Sequence, residues 1–160
     1  MEWRNVMLRM DDVEVRPWRD GDDEAVGTSP RDPVTGRYFG RAIGGPPKAD
    51  DPEAANFAIC HVGDPVGRIW LKPGARPFEV GYLLRTDEWG KGIATRALTL
   101  VAQWLLGQPG VERVVLCTHP ENVASQRVAE RAGFIRDGVE AEYAEFKDGS
   151  RDAIRFVRTA

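Results

Sequence analysis

The sequence predicts a single α/β domain built on one mixed sheet, with antiparallel strands at its ends and a central parallel pair. A buried strand leads through a glycine-rich turn into a long amphipathic helix, and another strand follows that helix. Because a strand–helix–strand passage implies parallel neighbours, this unit predicts the central pair. Short alternating runs bounded by turn residues flank the unit and indicate antiparallel strands. A chain of 160 residues is long enough for one domain with its own core.

The chain before this unit begins with strands. Residues 1–18 predict one or two strands, because residues 13–18 alternate apolar and polar side chains. Acidic residues at 20–24 favour the start of a short helix. Residues 28–54 are rich in proline, glycine and charge, and predict an irregular segment with at most a short helix.

Three consecutive antiparallel strands lead into the glycine-rich turn. Turn residues at 63–65 and 73–75 separate them, and the strands cover residues 56–61, 66–71 and 78–84. The last of the three is apolar enough to be a buried strand.

The remaining elements flank and complete the sheet. The long helix has apolar side chains at spacings of three and four, and glycines and a proline end it. Gly133 stands where a left-handed helix cap is expected. The predicted elements are a helix at 90–106, a strand at 111–118, a helix at 122–132, a strand beginning at 134, and a C-terminal hairpin formed by 142–147 and 152–157.

The turn Trp89-Gly90-Lys91-Gly92-Ile93-Ala94-Thr95 carries the first functional signal. A strand that enters a helix through glycines leaves several backbone N–H groups unpaired at the positive end of the helix, which suits a phosphate. Gly92 follows Lys91 where a Walker turn needs Ser or Thr, and Thr95 stands where a dinucleotide fingerprint needs its third glycine. The alternative is a tight turn whose glycines only supply unusual backbone angles.

A second motif lies downstream, at residues 120–134, after the strand at 113–117. Together with the glycine turn it resembles the GNAT acetyltransferase superfamily, and most closely the branch that includes the ribosomal-protein N-terminal acetyltransferases. The family's Arg/Gln-x-x-Gly-x-Gly/Ala motif starts here at Trp89, a departure from Arg or Gln, and places its small residues at Gly92 and Ala94. Its Asn-x-x-Ser falls on Asn122 and Ser125.

The resemblance implies acetyl-CoA as the acyl donor and a sheet whose central parallel strands splay apart. It places the pyrophosphate on backbone N–H groups of the turn from Trp89 to Thr95, and it assigns cofactor contacts to Asn122 and Ser125. The pantetheine arm would pair with the backbone at the strand end, which the sequence places at Tyr82, Leu83 and Leu84. The family places its substrate-covering helices near residues 28–54.

The expected activity is acetyl transfer to a primary amine, either a protein N-terminus or a small-molecule amine. The enzyme would hold the amine near the thioester, remove its proton and protonate the departing thiolate. Two alternatives from other classes are a non-catalytic acyl-CoA-binding or sensing domain on the same fold, and a nucleotide-binding α/β domain.

Glu79 is the candidate general base, because a carboxylate in an otherwise apolar strand is costly unless it is used or paired. A glutamate often stands at this position in the family. The alternative is an outward-facing acid paired with a neighbouring arginine, and Glu140, Glu142 and Tyr143 are competing candidates. Ser125 is the candidate proton donor to the thiolate, with Tyr143 as an alternative acid.

Several other residues have both a functional and a structural interpretation. Lys91 adds charge to the turn or is simply solvated, and the Thr95 hydroxyl contacts a phosphate or bonds locally. An Asn before a helix is ordinarily an N-cap, whereas the resemblance makes Asn122 a cofactor contact. His61 and His119 lack the partner spacing of a triad or metal site and are expected to be structural or solvated.

Composition narrows the classes of partner. The apolar content is 42%, the charged content 29% and the formal net charge −3, which is typical of a globular protein and shows no basic field for nucleic acid. Cys60 and Cys117 lie in apolar runs and are expected to be buried reduced thiols, so no metal site is predicted. No membrane span or signal peptide is visible, so a cytoplasmic protein is expected. A homodimer is compatible with an edge hairpin but is not required.

Overall fold

The computed structural model describes residues 1–27, 41–42, 48, 51, 54–72, 74–146 and 148–160. Most of the predicted irregular segment at 28–54 therefore lies outside the described residues. Within it, Arg41–Ala42 form a short strand that pairs with Ala144–Glu145, an element that the sequence does not predict.

Ten strands and three α-helices make up the described part of the chain. The helices are α1 (Asp22–Val26), α2 (Ile93–Leu106) and α3 (Val123–Arg131). The strands are β1 (Leu8–Met10), β2 (Val13–Pro17), β3 (Arg41–Ala42), β4 (Asn56–His61), β5 (Asp64–Leu71), β6 (Phe78–Leu84), β7 (Arg113–Thr118), β8 (Ile135–Glu140), β9 (Ala144–Glu145) and β10 (Ala153–Thr159).

Eight of these strands form one mixed sheet in the order β1-β2-β4-β5-β6-β7-β10-β8. Every neighbouring pair is antiparallel except β6 and β7, which are parallel and joined by α2. This confirms the predicted fold class: antiparallel strands at both ends and one parallel pair at the centre. The parallel pair is the feature that positions the site described below.

Two local details differ from the sequence prediction. The turn between β4 and β5 is centred on Val62 and Gly63, both at positive φ, rather than on residues 63–65. A two-residue hairpin of this kind matches the right-handed twist of the flanking strands. The C-terminal hairpin predicted at 142–147 and 152–157 forms only beside its turn, where the N–H groups of Tyr143 and Ala144 donate to the Arg151 carbonyl. Strand β10 pairs with β7 and β8 instead.

Helix α2 packs its apolar face onto the sheet. Of the apolar side chains at three- and four-residue spacings, Ala97, Leu98, Val101 and Leu105 are fully buried, as the sequence predicts, and Ala94 and Trp104 are partly buried. Ile93, which begins the helix, is also buried. Burying each large side chain of this kind stabilises a fold by about 1.5–3 kcal/mol. This packing fixes the first turn of α2 beside the end of β6. No helix in the described part of the chain is long and apolar enough to span a membrane.

Candidate active site

The two parallel strands part after a short paired stretch. Phe78 pairs with Val114 and Glu79 with Val115, and no further pairs join β6 to β7. Beyond this point a cavity of about 570 Å³ opens between β6, β7, the start of α2 and α3. A volume in this range suits a small-molecule ligand.

The edge of β6 that faces the cavity presents unpaired peptide groups. The Glu79 carbonyl accepts from the Lys72 N–H, and the Arg85 N–H donates to Val66, so odd-numbered residues of β6 bond toward β5. Because peptide groups alternate along a strand, those of Tyr82 and Leu84 turn toward the gap. Leu83 lies between them with its peptide groups toward β5.

The glycine turn follows directly and supplies a row of backbone N–H groups. Gly90 and Gly92 have φ of 79° and 74°, a region that glycine enters without strain. The N–H groups of residues 90–92 have no hydrogen-bond partner among the described residues. Those of residues 93–95 form the first turn of α2, where no intrahelical acceptor exists, and the cap residue Gly92 has no side chain to satisfy them. The turn is therefore suited to an anion.

The side chains of Arg96 and Trp89 fix the position of this turn. The Arg96 guanidinium donates to the carbonyls of Gly92 (3.2 Å) and Lys91 (3.0 Å), and its outer end pairs with Asp12. The indole N–H of Trp89 donates to the Leu84 carbonyl at 2.9 Å. Trp89 thus ties the turn to the end of β6 at the position where the family motif has Arg or Gln.

Lys91 and Thr95, the two side chains of this turn with alternative interpretations, differ in their surroundings. The Lys91 ammonium pairs with Glu88 at 3.1 Å and is half exposed, and Lys91 does not line the cavity. Thr95 lines the cavity, as do Ile93 and Ala94, and its hydroxyl makes no hydrogen bond with a described residue.

Helix α3 forms the opposite wall of the cavity. The side-chain carbonyl of Asn122 accepts from the Ser125 N–H at 3.1 Å, so Asn122 is the N-cap of this helix. The Tyr82 hydroxyl reaches across from β6 and donates to Ser125 Oγ at 3.2 Å. Removal of this hydroxyl from water raises the pKa of Tyr82 to about 12, so it is protonated at neutral pH. Asn122, Ser125 and Tyr82 all line the cavity.

Four side chains from separate segments meet where the strands part, and we call them the Glu79 cluster: Lys72, Glu79, Cys117 and Tyr143. The Tyr143 hydroxyl donates to Glu79 Oε2 at 2.5 Å. The Lys72 ammonium lies 3.6 Å from the same oxygen, and Cys117 Sγ lies 3.8 Å from Glu79 Oε1. Glu79 is thus paired with a lysine and a phenol, and not with the arginine considered in the alternative.

Burial beside the Glu79 carboxylate keeps two members of the cluster neutral. It raises the pKa of Tyr143 and that of Cys117 far above their ordinary values. The Tyr143 phenol therefore remains a hydrogen-bond donor. The Cys117 thiol, half-buried rather than buried as the sequence predicts, stays protonated and is a poor nucleophile.

The remaining acidic and histidine candidates lie away from this cluster or have other partners. Glu140 pairs with Arg155, Glu142 pairs with Arg151, and neither acid lines the cavity. His61 lies between Asp12 and Glu88. His119 is buried in the cavity wall, where its Nδ1 accepts from the Glu121 N–H and its Nε2 lies 2.9 Å from Asp148.

Sequence reasoning missed the three lysine and arginine side chains that line the cavity. Lys72 stands directly after β5, where a lysine looks like an ordinary strand end. Arg127 and Arg131 line the cavity from α3, are exposed, and form no ion pair with a described residue. Their spacing of four places them on one face of the helix, a signal that was present in the sequence.

The comparisons with known proteins point to one family. The family model described as Acetyltransferase (GNAT) domain matches residues 11–135. The chain is 37% identical over 60 residues to Probable N-acetyltransferase YjcK of Bacillus subtilis (strain 168), a stretch that covers 38% of this chain and 33% of that protein. The chain thus spans only about a third of that relative.

Two solved structures resemble the fold over nearly the whole chain. An acetyltransferase (GNAT family) from Bacillus anthracis has a TM-score of 0.78 at 20% identity, over 96% of this chain and 98% of that chain. Mycobacterium smegmatis RimJ in complex with CoA-disulfide has a TM-score of 0.78 at 21% identity, over 99% of this chain and 88% of that chain. At 20% and 21% identity, the likeness shows a shared fold and nothing further.

Proposed function

Because the chain belongs to the GNAT acetyltransferase family, we propose that it transfers the acetyl group of acetyl-CoA to a primary amine, either a protein N-terminus or a small-molecule amine. The observation that carries the proposal is the coincidence of two features in one cavity. Uncapped amides at residues 90–95 suit a diphosphate, and a carboxylate, Glu79, stands where β6 and β7 part. A relative of the same fold, the RimJ protein from Mycobacterium smegmatis, is described in complex with CoA-disulfide.

The acyl donor would lie along the gap between the strands. The free N–H and C=O groups of Tyr82 and the free N–H of Leu84 suit the amides of a pantetheine arm, because an unpaired strand edge accepts an extended partner. The Leu84 carbonyl already accepts from the Trp89 indole N–H. The amides of Gly90 through Thr95 suit the diphosphate. Arg127 and Arg131 add positive charge to the same cavity, which favours a ligand that carries several phosphates.

Glu79 acts as the general base in this proposal. An aliphatic amine is mostly protonated at neutral pH, so a group must take its proton before the amine attacks the thioester carbonyl. The Tyr143 phenol orients the Glu79 carboxylate through its 2.5 Å hydrogen bond. That bond occupies the Tyr143 proton, which makes Tyr143 less suited to protonate the thiolate.

Ser125 is the better-placed donor to the departing thiolate. Its oxygen accepts from the Tyr82 hydroxyl, so its own proton is not used in that bond. Tyr82 stays protonated and can restore the proton after transfer. The pair Tyr82–Ser125 therefore forms a short proton relay that bridges β6 and α3.

A coupled test separates this proposal from an acyl-CoA sensor. Calorimetry with coenzyme A measures binding, and release of free thiol from acetyl-CoA measures turnover with a panel of N-terminal peptides, amino acids and amino sugars. Binding with amine-dependent thiol release is the expected result. Tight binding of coenzyme A with no thiol release on any amine would favour the sensor. Binding of ATP rather than of coenzyme A would favour a nucleotide-binding domain.

A further inference from the structure

An amine of the protein itself lies beside the proposed base. The Lys72 N–H donates to the Glu79 carbonyl at 2.8 Å, which fixes Lys72, directly after β5, opposite Glu79 on β6. The Lys72 ammonium lies 3.6 Å from Glu79 Oε2 and 4.4 Å from the centre of the Tyr143 ring. Its side chain is only 19% exposed and lines the cavity.

The other described lysines have no comparable environment. Lys91 is 49% exposed and paired with Glu88, and Lys48 is exposed on the surface. Neither lines the cavity, whereas Lys72 does. Lys72 therefore occupies the position, relative to Glu79, that the amine of an acceptor must reach in order to be deprotonated.

We propose that Lys72 is a modification site: its Nζ is acetylated by the protein itself, from acetyl-CoA bound in the same cavity. The inference rests on the proposed function, since it needs both the acyl donor and the base. It adds a defined acceptor, an ε-amine held inside the protein, to the external amines considered above.

The step balances with the groups at hand. Glu79 takes one proton from the Lys72 ammonium, and the neutral Nζ attacks the thioester carbonyl carbon. A C–N bond forms, the C–S bond breaks with its electron pair on sulfur, and the thiolate takes a proton from Ser125. Glu79 releases its first proton to solvent and then takes the second proton of the attacking nitrogen, which returns through solvent to the Tyr82–Ser125 pair. The net products are an acetyl-lysine amide, free coenzyme A and one released proton.

Acetylation would change the acceptor end of the cavity. It removes the positive charge that pairs with Glu79 and that lies over the Tyr143 ring. The new amide also occupies space beside the base that an external amine needs. Lys72 acetylation would therefore limit turnover of external acceptors and make activity fall with exposure to the acyl donor.

The test uses the purified full chain and isotope-labelled acetyl-CoA without added amine. Intact mass follows the addition of acetyl groups, and peptide mapping assigns them to individual lysines. We expect label at Lys72 to appear at least about tenfold faster than at Lys48, which reports unassisted chemical acetylation, because a positioned base accelerates proton removal. Unlabelled coenzyme A in excess should suppress label at Lys72 and leave Lys48 unchanged.

Two variants make the assignment specific. Glu79→Gln removes the base and should therefore slow label at Lys72 by at least about tenfold, to near the rate at Lys48, and should leave Lys48 unaffected. Lys72→Arg should abolish that label and should also remove the gradual loss of turnover caused by preincubation with acetyl-CoA. Circular dichroism and gel filtration confirm that each variant is folded.

The outcomes separate this inference from the proposed function. If coenzyme A binds and amines turn over while Lys72 stays unlabelled, the inference is wrong and the proposed function stands. Label at Lys72 that matches Lys48 in rate, or that is insensitive to Glu79→Gln and to coenzyme A, also overturns it. If coenzyme A does not bind, both fail together.

Discussion

The two ends of the cavity are built in different ways. The phosphate end consists of backbone amides from one contiguous stretch, residues 90–95, held by Arg96 and Trp89. The Trp89 N–H, which the sequence also assigns to the phosphate, donates instead to the Thr86 carbonyl. The acceptor end consists of side chains from four separate segments, the Glu79 cluster. A backbone site tolerates changes of side chain that keep the turn, whereas a side-chain site depends on each member. Substitutions at the acceptor end should therefore lower turnover, and substitutions at the phosphate end should lower affinity for coenzyme A.

The largest effect is expected at the acceptor end. Glu79→Gln keeps the shape of the side chain but removes the base, and should lower turnover of acetyl-CoA with an active amine by about 10²–10⁴. Affinity for coenzyme A should change little, because Glu79 lies outside the phosphate turn. Steady-state thiol release and calorimetry measure the two quantities separately.

Tyr143→Phe is the matched control for this substitution. It removes the hydrogen bond to Glu79 but keeps the ring under the Lys72 ammonium. Turnover should fall by about tenfold, less than in Glu79→Gln, because the carboxylate remains. Normal turnover in Glu79→Gln near neutral pH would remove Glu79 from the reaction.

A substitution at the phosphate end should change the affinity for coenzyme A rather than turnover. Gly92→Glu places a carboxylate at the N-terminus of α2 in a left-handed conformation, where no neighbouring atom obstructs a side chain. Repulsion from a diphosphate should weaken coenzyme A binding by about a hundredfold, since like charges about 4 Å apart cost a few kcal/mol near a protein surface. Calorimetry measures the change.

Gly92→Asn separates charge from conformation. Asn accepts the left-handed region better than most residues and keeps the backbone amides, so affinity should stay within about a few-fold of the natural protein. Equal and severe loss in both variants would point to a damaged turn rather than to charge. Unchanged affinity in Gly92→Glu would place the diphosphate elsewhere.

Substitution of the α3 arginines should give a smaller loss of coenzyme A affinity than Gly92→Glu. The double substitution Arg127→Ala with Arg131→Ala removes two exposed charges that line the cavity, and should weaken coenzyme A binding by about five- to tenfold at low salt. The difference should shrink as salt rises, because exposed charges are screened. Arg136→Ala, on the exposed strand β8, removes a charge outside the cavity and should have no such effect.

The smallest effect is expected at Asn122. Asn122→Ala removes the N-cap of α3 and should lower the free energy of unfolding by about 1 kcal/mol, with a few-fold loss of coenzyme A affinity. Asn122→Ser keeps an oxygen for the cap but removes the side-chain NH₂ group. If Asn122→Ser restores stability and affinity together, as followed by thermal unfolding and calorimetry, Asn122 is a cap only.

The sequence predicts the phosphate end better than the acceptor end for a physical reason. The glycines, the helix start and the N-cap Asn122 are local signals, since each depends on residues within a few positions along the chain. The central parallel pair follows from the same local elements through the strand–helix–strand rule, whereas the place of β10 between β7 and β8 does not.

The Glu79 cluster depends on register between distant strands. Glu79 is visible as an acid in an apolar strand, but Lys72 joins it only through the β5–β6 ladder. Tyr143 joins it because the chain between β8 and β10 returns over the parting strands. Neither contact has a signal within a few residues, so the sequence names Tyr143 only as one of several candidates and does not name Lys72.

A crystal structure of the chain with acetyl-CoA tests the central claim most directly. We predict the diphosphate against the amides of residues 90–95, the pantetheine arm between β6 and β7, and the acetyl group beside Glu79. A complex in which acetyl-CoA binds outside this gap, with the glycine turn not in contact with phosphate, would contradict the assignment of the site.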